Sequence, residues 1–265
     1  MPDNDTVLHE IDARGVASVT LNRPAVGNAY NGALINGLIG TFARLEREAG
    51  LRCVVLRGAG RHFQAGADLA FLRHLRTVPP EENLDFSRRT VAAIDRLRHF
   101  PHPTVALIHG GCFGGGIGIA AACDIAIAVE DAVFAISEVR WGITAAPIIP
   151  LLVDRIGSRA LGRLALTGER FTAAEALRVG LVHLLCAADA LDAAGSEIIE
   201  SLLMAAPEAT AMTKQLIAEA VETPDSRAFR ERIVSEAAAR RCSPEAAEGL
   251  ASFAGKRKPA WYPEL

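Results

Sequence analysis

The sequence is short of lysine, of aromatic residues and of paired cysteines, and each shortage removes a class of function. Only Lys214, Lys256 and Lys258 are lysines among the 28 basic residues, which 31 acidic residues offset to a net charge of −3. That balance argues against a dedicated nucleic-acid or membrane-surface binder. Aromatic residues make up 5% of the chain, and none falls between Arg88, Arg89, Arg96 and Arg98. This basic cluster therefore reads as a solvated helix face and not as an RNA platform. Cys53, Cys112, Cys123, Cys186 and Cys242 are odd in number and contain no CxxC pair, which excludes a disulfide framework or a zinc site and suits a reducing cytoplasm. No basic region followed by an apolar one opens the chain, so its N-terminus is not read as a secretion signal. The uncharged run from Gly110 to Cys123 is too short and too broken by glycine to span a bilayer. A cytoplasmic protein with no membrane or nucleic-acid partner is expected.

What is present is an apolar half spread over 265 residues, enough for one large domain or a domain with an appendage. "TVLHEIDARGVASVTLNRP" predicts two strands around a turn at residues 12–15. Leu34, Ile35, Leu38, Ile39, Phe42 and Leu45 recur at three- and four-residue spacing, which predicts an amphipathic helix capped by Gly50. "CVVLRG" predicts a strand, "RHFQAGADL" a loop, and the stretch from Glu81 to His99 a helix that buries Val91, Ile94 and Leu97. "TVALIHG" and "DIAIAVE" read as strands on either side of a glycine-rich helix start. Strand and helix alternate, so an α/β architecture is favoured. Beyond about Thr172, "TAAEALRVG", "ALDAAGSEIIESLLMAA", "PEATAMTKQLIAEAV", "SRAFRERIVSEAAARR" and "SPEAAEGLASFAGKR" follow one another as helices. They are rich in alanine and short of large apolar residues, as suits a layer packed on something else, a partner subunit included.

Two places share one design, a strand that delivers a glycine-containing loop into a helix: "VVLRGAGRHFQAGADLAFL" and "VALIHGGCFGGGIGIAAA". The first-turn N–H groups of a helix have no helical partner, and its dipole adds partial positive charge there. If the two loops face one another, the N–H groups of Ala67 and Gly115 can grip one carbonyl oxygen and stabilise it as an enolate. Glycine at Gly111, Gly114, Gly115, Gly116 and Gly118 lets a bulky thioester lie against bare main chain. Two other readings compete. The glycines can serve helix–sheet packing alone, and Gly116, Gly118 and Ala121, with Glu138 about twenty residues beyond, also satisfy a dinucleotide-binding fingerprint.

"NRPAVGNAYN", "GRHFQAGADL", "HGGCFGGGIGIAAACDIAIA", "FAISEVRWGI" and "SPEAAEGLASFAGKRKPAW" follow the order and spacing of the crotonase, or enoyl-CoA hydratase/isomerase, superfamily, which the chain resembles over nearly its whole length. The resemblance implies a spiral of ββα units over residues 1–190, with an acyl-CoA site. It also implies a helical C-terminal region over 191–265 that builds homotrimers or hexamers. It implies acyl-CoA thioesters as substrates, with no metal and no separate cofactor. Carried over by position, Ala67 and Gly115 match the oxyanion-hole donors, within the loops that hold Ala65, Gly66, Leu69 and Gly114. Glu138 matches a catalytic glutamate that moves protons beside the thioester. Asp68 is placed to accept N–H groups at a helix start. Phe253 and Lys256 match positions that reach the CoA nucleotide of a neighbouring subunit.

One departure governs the expected reaction. Two-carboxylate hydratases carry a second glutamate where this chain has Gly118. Hydration needs water activated at the β carbon and a proton supplied at the α carbon, work that paired carboxylates divide. A single carboxylate suffices if water bridges it to both carbons, or if the reaction is a 1,3-proton shuttle. The segments around Glu138 and at the C-terminus look closest to bacterial methylglutaconyl-type hydratases, so hydration is favoured, with enoyl-CoA isomerisation and non-catalytic acyl-CoA or RNA binding as alternatives. Ala70 and Gly255 replace charged residues near the CoA tail, and Ala145 and Ala146 replace a Pro-Gly pair. Gln64 is large for its position, so it and these two alanines are candidates to reshape the acyl pocket. His62, His102 and His109 are assigned no role. Trp141 is read either as pocket wall or as core.

Overall fold

The computed structural model describes residues 6–223 and 226–263; the first five residues of the N-terminal stretch lie outside them. The chain runs β1 (Val7–Ile11), β2 (Val16–Leu21), α1 (Gly32–Leu45), β3 (Cys53–Gly58), α2 (Leu69–Leu75), α3 (Pro80–Arg98), β4 (Thr104–Ile108), β5 (Gly111–Phe113), α4 (Gly115–Ala122), β6 (Ile125–Val129) and β7 (Val133–Ala135). It continues through α5 (Ile149–Thr167), β8 (Arg170–Thr172), α6 (Ala173–Arg178), β9 (Leu184–Cys186), α7 (Leu191–Met204), α8 (Pro207–Glu222), α9 (Arg227–Arg241) and α10 (Pro244–Ala254).

The main sheet has the order β1-β2-β3-β4-β6-β9, with β1 antiparallel to β2 and every other pair parallel. A parallel sheet must be covered on both faces, which is why β3, β4 and β6 are almost unbroken apolar runs. On one face Val54, Leu56, Ala106 and Ile108 pack with Leu34, Leu38 and Phe42 of α1, Ile94 of α3 and Ile117 of α4. On the other, Val55, Val105, Leu107 and Ile127 pack with Ile199 and Leu203 of α7. Each such side chain contributes about 1.5–3 kcal/mol on leaving water. A second sheet, β5-β7-β8, stands at the end of the first.

The hairpin, the α/β alternation and the late helices follow the sequence reading, with four differences. α1 ends at Leu45, and Gly50, at φ 79°, turns the chain toward β3 instead of capping the helix. Val91 lies on the open side of α3, 39% exposed; Phe86, Thr90 and Ala93 are buried in its stead. The second sheet is absent from the sequence reading because each of its strands is three residues long. β9 interrupts the helical run after Thr172 and completes the edge of the main sheet.

Polar side chains tie the late helices to the sheet. The Arg52 guanidinium donates to the carbonyls of Leu203, Ala205 and Trp261 at 3.0, 2.9 and 2.6 Å. Lys214 of α8 meets the Asp124 carboxylate at 2.7 Å. Glu245 of α10 accepts from the N–H groups of Glu208 and Ala209, 2.9 Å each, and so caps the start of α8. Of the basic cluster on α3, Arg89 pairs with Asp85, Arg96 with Glu46 and Arg98 with Asp154, as a solvated helix face would.

Candidate active site

The two glycine loops lie side by side. Gln64 N–H donates to Gly111 O (3.1 Å) and Phe113 N–H to Gln64 O (2.9 Å), so residue 64 runs parallel to β5. Gly66, at φ 89°, then bends the chain toward residue 30. Tyr30 N–H donates to Gly66 O and Asp68 N–H to Tyr30 O, both at 2.9 Å. In a parallel bridge the residue between two such bonds turns its own N–H to the other side, so Ala67 N–H points away from Tyr30.

Gly114, at φ 51°, ends the second loop by donating its N–H to Ala135 O of β7 at 2.8 Å. A Cβ there would lie 2.7 Å from Glu138 Oε1, and one on Gly115 would lie 2.4 Å from Tyr30 Cε1. Glycine at these positions lets the carboxylate and the phenol ring close on the main chain. Gly115 opens α4, and its N–H, like that of Ala67, has no acceptor among the described residues. Each loop therefore offers an unpaired amide, and Tyr30 links the two loops through its main chain on one side and its ring on the other.

Glu138 sits at the start of a short 3-10 turn, Glu138–Trp141, just beyond β7. Glu138 lines three cavities, two of which also touch the glycine loops. One of these two is an open cleft of about 290 Å³ that Ala65, Gly66, Ala67, Leu69, Gly114 and Trp141 also line. The other is a narrower space of about 30 Å³ bounded by Tyr30, Ile94, Gly115, Thr144 and Ile148. Glu138 Oε2 is buried and accepts no hydrogen bond among the described residues. Burial raises its carboxyl above the ordinary range, only partly opposed by its own N–H. A carboxyl so placed is a candidate to take and return a proton.

Asp68 supports the first loop from behind. Its Oδ1 accepts from Ala70 and Phe71 N–H at the start of α2, and its Oδ2 pairs with Arg23 at 3.0 Å. Burial alone would raise its carboxyl, but these donors hold it below its ordinary value.

The structure thus brings Ala65, Gly66, Ala67, Leu69, Gly114, Gly115 and Glu138 together, with Asp68 as their buttress. Phe253 and Lys256 stand elsewhere, at the end of α10, with Phe253 87% exposed. Trp141, 62% exposed, is pocket wall and not core. His62 Nδ1 accepts from Gly111 N–H at 2.9 Å, and His109 Nε2 meets Gly60 O at 2.9 Å, both structural tasks.

Three site features escape a sequence reading. Gln64 is fully buried and clamps Gly66 from both sides, donating to its carbonyl and accepting from its N–H, so it shapes the loop and not the acyl pocket. Asn28, also fully buried, donates to the carbonyls of Ala59, His62 and Phe63 and accepts from Arg23 N–H. Its repetition inside "NRPAVGNAYN" was the available signal. Third, a Cβ on Gly118 would lie 2.2 Å from Ile148 Cγ2. Where two-carboxylate relatives of the resembled family place a glutamate, this chain places an isoleucine methyl.

The dinucleotide reading fails on the same geometry. A Cβ on Gly116 would meet Gln64 Oε1 at 2.4 Å, so Gly116 and Gly118 both face packed side chains and not a ligand. Glu138 follows β7, outside the main sheet, and not the end of a second sheet strand where a ribose partner belongs.

A mostly parallel sheet thus carries two helix starts, at Leu69 and Gly115, and the carboxylate of Glu138 to one cleft. The model of the family described as enoyl-CoA hydratase/isomerase matches residues 12–264. An enoyl-CoA hydratase from Shewanella pealeana has a crystal structure that superposes with a TM-score of 0.91 at 33% identity, over 97% of this chain and 96% of that one. Pseudomonas aeruginosa AtuE superposes with a TM-score of 0.92 at 38% identity, over 97% and 100%. A mitochondrial Delta(3,5)-Delta(2,4)-dienoyl-CoA isomerase of Dictyostelium discoideum is 32% identical over 95% of this chain and 89% of its own. The chain belongs to the enoyl-CoA hydratase/isomerase family, the crotonase superfamily, and has its α/β fold with helices at the C-terminus. No helix among the described residues is long and apolar enough to cross a membrane.

Proposed function

We propose that the protein is an enoyl-CoA hydratase that adds water across the 2,3 double bond of an acyl-CoA thioester. The observation that carries this reading is the buried, unpartnered Glu138 oxygen, on a residue that lines both the cleft and the narrow cavity, beside two unpaired amides. The thioester oxygen is held by Ala67 N–H and Gly115 N–H. As the water oxygen bonds to the β carbon, its proton passes to the Glu138 carboxylate and the π electrons move through the α carbon onto the thioester oxygen. The enolate then collapses by taking the Glu138 proton at the α carbon. One carboxylate serves both half-steps, and the two amides are worth roughly 2.7–4 kcal/mol each to the developing oxyanion.

Water must reach the β carbon for this reaction. The narrow cavity beside Glu138, at about 30 Å³, has room for a water molecule. Phe253 and Lys256 would serve the CoA nucleotide of a neighbouring subunit in a homotrimer or hexamer, a role that suits their exposure away from this chain's own cleft.

A second reading rests on Gly118. With Ile148 against it, α4 offers no second carboxylate, and a lone glutamate is sufficient for the 1,3-proton shuttle of an enoyl-CoA isomerase. Product analysis by NMR in deuterated water separates the two. Hydration gives a 3-hydroxyacyl-CoA from a 2-enoyl-CoA, whereas an isomerase moves the double bond of a 3-enoyl-CoA and forms no alcohol.

A further inference from the structure

The narrow cavity poses a question that Glu138 alone does not answer. A water held by one carboxylate can swing, and attack at carbon needs a fixed lone pair. α4 contributes only Gly115 and Ile119 to the cavity wall, and Ile148 closes the approach from Gly118. The polar side chains around it are Glu138, Tyr30, Thr90 and Thr144. The Thr90 hydroxyl is engaged with Phe86 O at 2.9 Å, and Thr144 is exposed.

Tyr30 differs from both. Its main chain brackets Ala67, its ring lies against Gly115, and it stacks on Phe86 with ring centroids 6.4 Å apart and planes 17° from parallel. The ring is therefore held in the frame that sets the two amides. Its hydroxyl has no hydrogen-bond partner among the described residues. Tyr30 is half-buried and lines the same small cavity as Glu138, so its hydroxyl is free to accept a hydrogen bond from a water held there.

We propose that the Tyr30 hydroxyl holds the attacking water together with Glu138, as the second polar group of a site whose second carboxylate is missing. The water donates one O–H to the Tyr30 oxygen and the other to Glu138, which leaves a lone pair for the β carbon. As the carbon–oxygen bond forms, the proton on the Glu138 side passes to the carboxylate and is later returned to the α carbon. Tyr30 neither gains nor loses a proton. Burial first, and the charge of Glu138 second, push its phenol to about 12, so it stays neutral across the working range and orients without acting as a base.

This inference rests on the hydratase reading, and Tyr30→Phe tests it separately, because phenylalanine keeps the ring and its packing and removes only the hydroxyl. The expected result is a hydration kcat lowered about 10²-fold, with KM for the 2-enoyl-CoA unchanged, since a mispositioned reactant costs about that much. Migration of the double bond in a 3-enoyl-CoA, which needs no water, should fall less than about threefold, so that the ratio of alcohol to migrated product drops sharply. A variant that hydrates within about threefold of wild type overturns the role of Tyr30 and leaves the hydratase reading standing. Equal losses in both reactions also overturn it, since they mark a structural effect. If the wild-type protein forms no 3-hydroxyacyl-CoA at all, the functional reading fails, and this inference fails with it.

Discussion

In the proposed reaction the chemistry turns on Glu138, whose environment sets two measurable consequences. Glu138→Gln keeps the shape and loses the proton carrier, so turnover on a 2-enoyl-CoA should drop by about 10²–10⁴-fold, with unchanged turnover contradicting its role. The second consequence is thermodynamic. Burial raises the folded carboxyl above its unfolded value, so the native state holds this proton more tightly than the unfolded chain does. Stability is then greatest below the unfolded value and is lost as pH rises through the folded one. Glutamine carries no charge and escapes that loss. Calorimetry at about pH 8 should find Glu138→Gln melting higher than wild type, a gap that closes at about pH 4. Activity has the opposite dependence, because the base must be ionised: kcat should fall as pH drops through the raised Glu138 value. A site can thus be less stable for being useful.

At the scale of elements, α4 shows how a packing decision fixes the catalytic inventory. Alanine at Gly118 would gain about 1 kcal/mol of helix propensity, yet its Cβ would sit 2.2 Å from Ile148 Cγ2. Overpacking of that kind costs typically about 1–3 kcal/mol. Gly118→Ala should therefore lose stability in urea unfolding, and combining it with Ile148→Ala should show favourable coupling of about 1 kcal/mol or more; strict additivity would mean that the contact is unimportant. Gly118→Glu should unfold more readily still and gain no hydration activity. Long elements were legible from the chain because their information is local. The spacing of Leu34, Leu38 and Phe42 marks α1, and the unbroken runs of β3, β4 and β6 mark a covered parallel sheet. The loops carrying Ala67 and Gly115 were legible as helix starts. What escaped depends on neighbours distant in sequence: the three-residue strands β5, β7 and β8, the clamp of Gln64 on Gly66, and the closure of Ile148 on Gly118. Val91 was misplaced because an apolar residue next to the stripe does not declare which edge of the stripe it occupies.

The whole molecule joins a sheet that positions the site to helices that reach beyond it. Arg52 ties the two together through three carbonyl acceptors, at Leu203, Ala205 and Trp261. Arg52→Ala should lower stability by roughly 2–4 kcal/mol, since it leaves those carbonyls to find new partners; urea unfolding within about 0.5 kcal/mol of wild type would contradict this. The exposure of Phe253 at 87% and Leu250 at 69% on α10 fits a face completed by another copy of the chain. Sedimentation should then give a trimer or hexamer, and Phe253→Ser or Lys256→Ala should raise KM for acyl-CoA about tenfold at constant kcat, the signature of lost uniform binding. A monomer with unchanged KM would remove the proposed role of α10. The central claim is that amides from two separate loops converge on one thioester oxygen beneath Glu138. A crystal structure with an unreactive acyl-CoA thioester bound tests it most directly. The thioester oxygen should lie about 2.7–3.1 Å from both Ala67 N and Gly115 N, with the β carbon facing Glu138; an oxygen held by neither amide, or by one while the other points away, would contradict the account.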